Sequence, residues 1–125
     1  MDTIETARLF LRPFRADDAE MMYQNWTYDE RVAQYCRWYP HQSVSDTRAL
    51  LRMYLDQRKQ GFPYRWAITW KGEDIPIGVI DVVGISNDES TAEVGYALSH
   101  AYWNHGVMTE CLKAVIDLLF QAGFT

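Results

Sequence analysis

The sequence is poor in cysteine and has no long apolar run. Its two cysteines, Cys36 and Cys111, lie far apart and share no metal-ligand spacing with the three histidines. We therefore expect free structural thiols and no zinc site. No apolar run approaches the roughly 20 residues of a membrane-spanning helix, and the amino terminus lacks the charged and then apolar pattern of a signal peptide. We expect a cytoplasmic protein without a membrane partner.

Basic residues are also few, since 12 Lys and Arg stand against 17 Asp and Glu, for a net charge of −5. This balance argues against a general nucleic-acid binder, which needs a basic surface to neutralise phosphates. The sequence has neither the G-x-S-x-G turn of many serine hydrolases nor the lysine-containing phosphate loop of nucleotide-binding proteins. A negative chain is compatible with a cationic amine as substrate.

The composition is that of one globular domain. Apolar residues make up 48% of the 125 residues and charged residues 23%, which is enough to bury a core without disulfides or a metal ion. We expect Asp17 and Asp18 to complement the positive end of the first helix and Gly61 to end the third. The first half predicts one strand and three helices, at Ala7–Phe14, Ala16–Trp26, Asp29–Arg37 and Ser43–Gln60.

The second half begins with three strands, which are typical of an antiparallel meander. Polar turns at residues 71–74 and 86–90 separate them. Gly95 indicates a bulge or a point of close backbone approach in the last strand. The fold class is therefore α+β, an antiparallel sheet of about four strands flanked by helices. The three strands are Tyr64–Lys71, Ile75–Ile85 and Ala92–Leu98.

The last stretch, from His100 to Gly123, is a loop that leads into a helix. Gly106 lies in the loop, and apolar residues then recur at the spacing of a helix with one buried face. Free N–H groups at a helix start beside a glycine suit a phosphate or diphosphate, although many strand-to-helix turns contain a glycine and bind nothing. The apolar positions are Met108, Cys111, Leu112, Val115, Leu118, Leu119 and Ala122.

Two separate segments of the chain resemble motifs of one known family. The first is the run E-V-G-Y-A-L-S-H-A-Y-W-N-H-G-V-M-T-E-C-L-K-A-V-I-D-L-L-F, and the second is the run E-T-A-R-L-F-L-R-P-F-R-A-D-D-A-E. The first resembles the acetyl-CoA motif of the GCN5-related N-acetyltransferases (GNAT family), and the second resembles their first strand and helix. Within the family, both are similar to the subgroup that acetylates N-terminal amines of ribosomal proteins. The family's phosphate loop, [QR]-x-x-G-x-[GA], matches at Gly106, whereas Trp103 and Met108 replace its first and last positions.

The resemblance implies an acyl-CoA N-acyltransferase-like fold and a direct transfer of acetyl from acetyl-CoA to a primary amine. Glu93 is then the candidate for the base that takes the proton of the amine. His105 is a candidate for an added positive charge at the diphosphate. The resemblance further implies that backbone groups of Tyr96, Ala97 and Leu98 pair with the pantetheine arm. It assigns the diphosphate to Asn104, His105, Gly106, Val107, Met108 and Thr109.

Three questions remain open from the sequence: the role of the aromatic residues, the acceptor, and whether the chain is an enzyme. The aromatic residues around Trp38 and Tyr39 either form a wall of the acceptor site or simply pack between helices and sheet. The acceptor is a peptide amino terminus, a polyamine or another small amine.

The resemblance also implies that residues 1–125 form a single truncated domain without its C-terminal strands, which leaves the strand of Glu93 at an edge. A homo-oligomer that covers this edge is expected, and a non-catalytic binding or oligomerising module is the alternative to an enzyme.

Overall fold

One antiparallel sheet runs through the described part of the chain, which comprises residues 3–36, 39–85 and 92–123 of a computed structural model. Its five strands lie side by side in chain order, and each pairs antiparallel with the next. The α+β class is confirmed, with one short strand more than the sequence indicated. The strands are β1 (Ile4–Glu5), β2 (Leu9–Arg12), β3 (Arg65–Trp70), β4 (Gly78–Ile85) and β5 (Ala92–Leu98).

Four α-helices lie within the same ranges, and none of them is long and apolar enough to cross a membrane. Gly61 follows the third helix in the left-handed conformation, with φ +100°, as expected for a residue that ends a helix. The first helix is shorter than predicted, because its second half is a π-helical turn. The elements are α1 (Ala19–Met22), the π-helical turn (Tyr23–Thr27), α2 (Glu30–Cys36), α3 (Val44–Lys59), a 3-10 turn (His100–Tyr102) and α4 (Val107–Gln121).

The helices cover both faces of the sheet, with α4 on one face and α1 to α3 on the other. Successive side chains of a strand point to opposite faces, and β3 shows the division. Its Trp66 and Ile68 pack in the cluster that includes α4, whereas Ala67 packs in the cluster that includes the other three helices. Both clusters are buried, so the sheet forms the middle layer of the core.

Asp18 occupies the N-cap position of the first helix, as expected for a residue at its positive end, but its side chain makes no capping hydrogen bond. Its carboxylate instead accepts two hydrogen bonds from the guanidinium of Arg12, at 2.9 and 3.0 Å, and one from the backbone N–H of Arg15 at 2.7 Å. Only 4% and 5% of the Arg12 and Asp18 side chains are exposed. A buried guanidinium needs a charged partner, and this need decides where the carboxylate points. Asp17 is exposed at the surface.

The bulge predicted at Gly95 is not there, and a close backbone approach lies at Gly78. Gly95 pairs regularly with β4, and the irregularity of this strand pair falls in β4, between Val82 and Gly84. At Gly78 an added Cβ atom would lie 2.5 Å from the carbonyl oxygen of Ala97. A side chain does not fit at this position, so glycine allows β4 to approach β5 at the carboxyl end of β5.

Cys111 is free and fully buried on α4, in agreement with the expected structural role. The thiol of Cys36, the predicted helix end at Arg37, Trp38 of the aromatic loop and the predicted turn at residues 86–90 lie outside the described residues.

Candidate functional site

A cleft of about 350 Å³ opens at the carboxyl end of β5, between α2 and α4. Residues 96–98 of β5 form one wall, and residues 106–109 at the start of α4 form another. Residues 102–104 of the connecting loop lie between the two walls, and Val32 of α2 contributes from the opposite side. The cleft therefore combines a strand edge and a helix start within one short stretch of chain.

The start of α4 is shaped by two residues with left-handed backbone. Gly106 directly precedes the helix with φ +74°, and Asn104 has φ +65°. Glycine adopts this conformation readily, and asparagine tolerates it better than most residues. The N–H groups of Val107, Met108 and Thr109 have no carbonyl one turn earlier in the helix, and Gly106 has no side chain to cap them. These donors and the positive end of the helix suit an anionic group.

The edge of β5 supplies backbone groups to the same cleft. The N–H of Ser99 donates to the carbonyl of Ile77 at 2.8 Å, on the side of β4. Because backbone groups of successive strand residues point to opposite edges, those of Leu98 and Tyr96 point away from β4. In agreement, the indole N–H of Trp103 donates to the Leu98 carbonyl at 2.9 Å. Within the described ranges β5 pairs with β4 alone, so an extended ligand could pair with the other edge.

A hydrogen-bond network holds the loop before α4 from outside the cleft. Arg8 donates from Nε to a carboxylate oxygen of Glu110 at 2.7 Å and from Nη1 to the carbonyl oxygen of His105 at 3.1 Å. Glu110 also accepts from the backbone N–H of Arg8 at 3.0 Å and from the hydroxyl of Thr6 at 2.5 Å. Burial opposes the ionisation of Glu110, but the hydrogen bonds from Thr6 and Arg8 outweigh it and lower the pKa of this carboxyl.

Eight of the nine residues predicted to contact a cofactor line the cleft, and the ninth, His105, does not. The side chain of His105 is exposed, and its carbonyl faces Arg8. The contact roles themselves stay predictions. The eight residues are Tyr96, Ala97, Leu98, Asn104, Gly106, Val107, Met108 and Thr109.

The sequence did not mark Arg8, Val32 or Tyr102 as parts of this region. Val32 and Tyr102 look like ordinary core positions in their own helices and turns. Arg8 lies 102 residues from Glu110 in the chain, so no local spacing relates the two. A family comparison of paired positions is the signal that would reveal such a contact.

Glu93, the predicted base, is exposed and lies outside the cleft lining. It precedes Tyr96 by three residues, which is about 10 Å along a strand. The alternation of side chains puts it on the face of Ala97, which packs with α1 to α3. A group that approaches from the side of α2 would meet this face, and the catalytic role of Glu93 stays a prediction.

Burial shifts the pKa of two further side chains near β5 and α4. Burial raises the pKa of the Cys111 thiol to about 12, so this cysteine is not a nucleophile at neutral pH. Burial also raises the pKa of Asp81, against the effect of its ion pair with Arg65 at 2.9 Å. In the parts of the chain that the structure describes, no three metal-ligating side chains lie close enough to hold an ion.

Comparisons with known sequences identify a family that this chain resembles. A family model described as an acetyltransferase (GNAT) domain matches residues 8–124. The chain is 32% identical over 122 residues to the uncharacterized N-acetyltransferase p20 of Bacillus licheniformis. This match covers 98% of the chain and 68% of the relative.

Solved structures share the fold. The ribosomal L7/L12 alpha-N-protein acetyltransferase RimL superposes with a TM-score of 0.80 at 20% identity, over 98% of this chain and 66% of that one. The microcin C7 self immunity acetyltransferase MccE, solved in complex with acetyl-CoA and AMP, superposes with a TM-score of 0.73 at 17% identity. This superposition covers 94% of this chain and 65% of that one. At these identities the likeness concerns the fold alone. The chain spans about two thirds of the length of each of these proteins.

Proposed function

Because this chain belongs to the GNAT family of acetyltransferases, whose members use acetyl-CoA, we propose that it transfers the acetyl group of acetyl-CoA to a primary amine. The observation that carries the proposal is the cleft in which the edge of β5 meets the start of α4. The match to an acetyltransferase family supports an enzyme over a module that only binds or oligomerises.

The two walls suit the two chemical halves of acetyl-CoA. The N–H groups of Val107, Met108 and Thr109 and the positive end of α4 would hold the diphosphate. The outward backbone groups of Tyr96 and the N–H of Leu98, whose carbonyl accepts from Trp103, would pair with the amides of the pantetheine arm, in the manner of an added strand. The thioester would then lie beside β5, between the sheet and the acceptor.

The reaction proposed is a direct transfer. The amine nitrogen attacks the thioester carbon, the carbon–sulfur bond breaks, the thiolate of CoA leaves, and the amine loses a proton. A covalent enzyme intermediate on Cys111 is not part of this proposal, because its thiol is buried and protonated. Glu93 is the proposed proton acceptor, from the face of the sheet that it shares with α2.

A peptide amino terminus is the acceptor class that we propose first, and a small amine is the second. The resemblance to the subgroup that acetylates ribosomal proteins supports the first class. The net charge of −5 supports any acceptor that arrives as a cation, because opposite charge speeds encounter.

The proposal is tested in two steps. Calorimetric titration of acetyl-CoA should give saturable binding, and a thiol-reactive dye should then report CoA release that depends on added acceptor. Peptides that differ only in a free or an acetylated amino terminus form the matched pair, with a polyamine as the small-amine probe. A folded protein that neither binds acetyl-CoA nor releases thiol with any of these acceptors would overturn the proposal.

A further inference from the structure

Arg8 lies behind the helix start without lining the cleft. Its guanidinium binds Glu110 through Nε and the carbonyl of His105 through Nη1. A Cβ atom built on Gly106 would lie 3.5 Å from its Nη2. The side chain therefore supports residues 105 and 106 from the side opposite the cleft, and 44% of it is exposed.

The bond to His105 fixes the direction of the next peptide group. In a trans peptide the C=O of one residue and the N–H of the next point in opposite directions, and the chain has no cis peptide in its described residues. Since the carbonyl of His105 points towards Arg8, the N–H of Gly106 points away from it. Gly106 lines the cleft, so this orientation adds a donor to those of the first turn of α4.

The ion pair of Arg8 with Glu110 balances a negative charge at the start of α4. Glu110 lies in the first turn of α4, where a negative side chain competes with a bound anion for the positive end of the helix. Arg8 pairs with this carboxylate at 2.7 Å and neutralises it. Without Arg8 the carboxylate of Glu110 would keep its hydrogen bond from Thr6, but its negative charge at the first turn of α4 would be uncompensated and would weaken the attraction for an anion there.

Building on the proposed function, we infer that Arg8 is a positioning residue for the diphosphate end of the acetyl-CoA site. It acts through His105, whose carbonyl it holds, and through Glu110, whose charge it balances. The network of Thr6, Arg8 and Glu110 thereby joins the start of β2 to the helix that receives the cofactor.

The test compares a ligand with the diphosphate and one without it. CoA binding is measured by calorimetry, and S-acetylpantetheine binding by NMR titration of backbone amides. The uncompensated charge of Glu110 at the helix start predicts that Arg8→Gln weakens CoA binding about tenfold and leaves S-acetylpantetheine binding unchanged. Equal weakening of both ligands, or no weakening of either, would overturn the inference.

Two further variants separate positioning from general damage. Arg48→Gln is the matched control, because Arg48 forms an exposed ion pair with Glu20, and it should change neither affinity. Arg8→Lys should recover the CoA affinity only in part, since one ammonium can pair with Glu110 but lacks the planar fork that also reaches His105.

A measurement without ligand keeps this inference separate from the proposed function. Backbone order parameters of residues 104–109, measured by 15N relaxation, should be lower in Arg8→Gln than in the natural chain and unchanged in Arg48→Gln. If the natural chain fails to bind acetyl-CoA, the proposed function fails, while the order parameters still decide whether Arg8 orders the loop. Unchanged order parameters in Arg8→Gln would overturn the positioning role in either case.

Discussion

The indole Nε1–H of Trp103 donates a hydrogen bond to the carbonyl oxygen of Leu98 at 2.9 Å. This bond joins the end of β5 to the loop before α4. The ring of His100 packs against the indole, with 4.5 Å between ring centroids. The two walls of the cleft are therefore held in relation to each other by side chains of the loop between them.

Replacing Trp103 with Phe should test this link. The variant keeps an aromatic ring and removes the N–H, so the Leu98 carbonyl loses its donor. We expect the free energy of unfolding in urea to fall by about 1 kcal/mol and the affinity for acetyl-CoA to fall as well. An unchanged affinity with a lowered stability would show that the bond supports the fold without shaping the cleft.

Gly106→Ala and Gly72→Ala should lose similar stability but differ in their affinity for acetyl-CoA. Both glycines have left-handed backbone, with φ +74° and +85°, and an added Cβ would clash with nothing at either position. Each variant should lose roughly 1–2 kcal/mol of stability from backbone strain alone, measured by urea denaturation. Only Gly106→Ala should weaken acetyl-CoA binding, because its backbone strain acts on the peptide groups at the start of α4, although its Cβ would face Arg8. Equal effects of the two variants on binding would argue against the site.

The proposed base predicts a specific kinetic defect. In Glu93→Gln the acceptor of the amine proton is lost, so kcat should fall by about a hundredfold or more, while the KM for acetyl-CoA should stay the same. Glu73→Gln is the matched control, because Glu73 is exposed in the turn between β3 and β4. A kcat equal to that of the control would remove Glu93 from the mechanism.

Neighbouring aspartates should differ sharply in their contribution to stability. Asp18→Ala leaves the buried guanidinium of Arg12 with Asp74 as its remaining carboxylate partner, and should lower the free energy of unfolding by about 3 kcal/mol. Asp17→Ala removes an exposed carboxylate and should change it little. Similar losses in both variants would mean that helix-end electrostatics, and not the buried pair, dominates here.

The hydrogen bonds of Glu110 predict that the difference in stability between Glu110→Gln and the natural chain depends on pH. The pKa of Glu110 in the folded protein lies below its ordinary value of 4.5. Its ionised form therefore stabilises the fold above pH 4.5, and this contribution is lost as the pH falls through the lowered pKa. Glu110→Gln should be less stable than the natural chain at pH 7, and the two should converge on acidification. A constant difference across this range, seen by thermal denaturation, would exclude a charge effect.

Local patterns in the sequence determined the elements that build the cleft. The predicted strand Ala92–Leu98 is β5 with the same bounds, and α4 begins at Val107, directly after Gly106. Period-two alternation and a glycine before a helix depend on backbone geometry over a few residues, so the sequence alone reveals them. The same holds for Gly61, whose left-handed backbone ends α3.

The tertiary structure alone decided which side chains meet. Asp18 points to Arg12 and not to its own helix, since the packing of α1 on the sheet buries that guanidinium. Gly78 approaches Ala97 because β4 and β5 pair in a register that no local pattern specifies. Arg8 reaches Glu110 only because α4 packs across the face that begins with β1 and β2. Such contacts depend on burial and register across the whole domain, whereas strand and helix periodicity depends on neighbours in the chain.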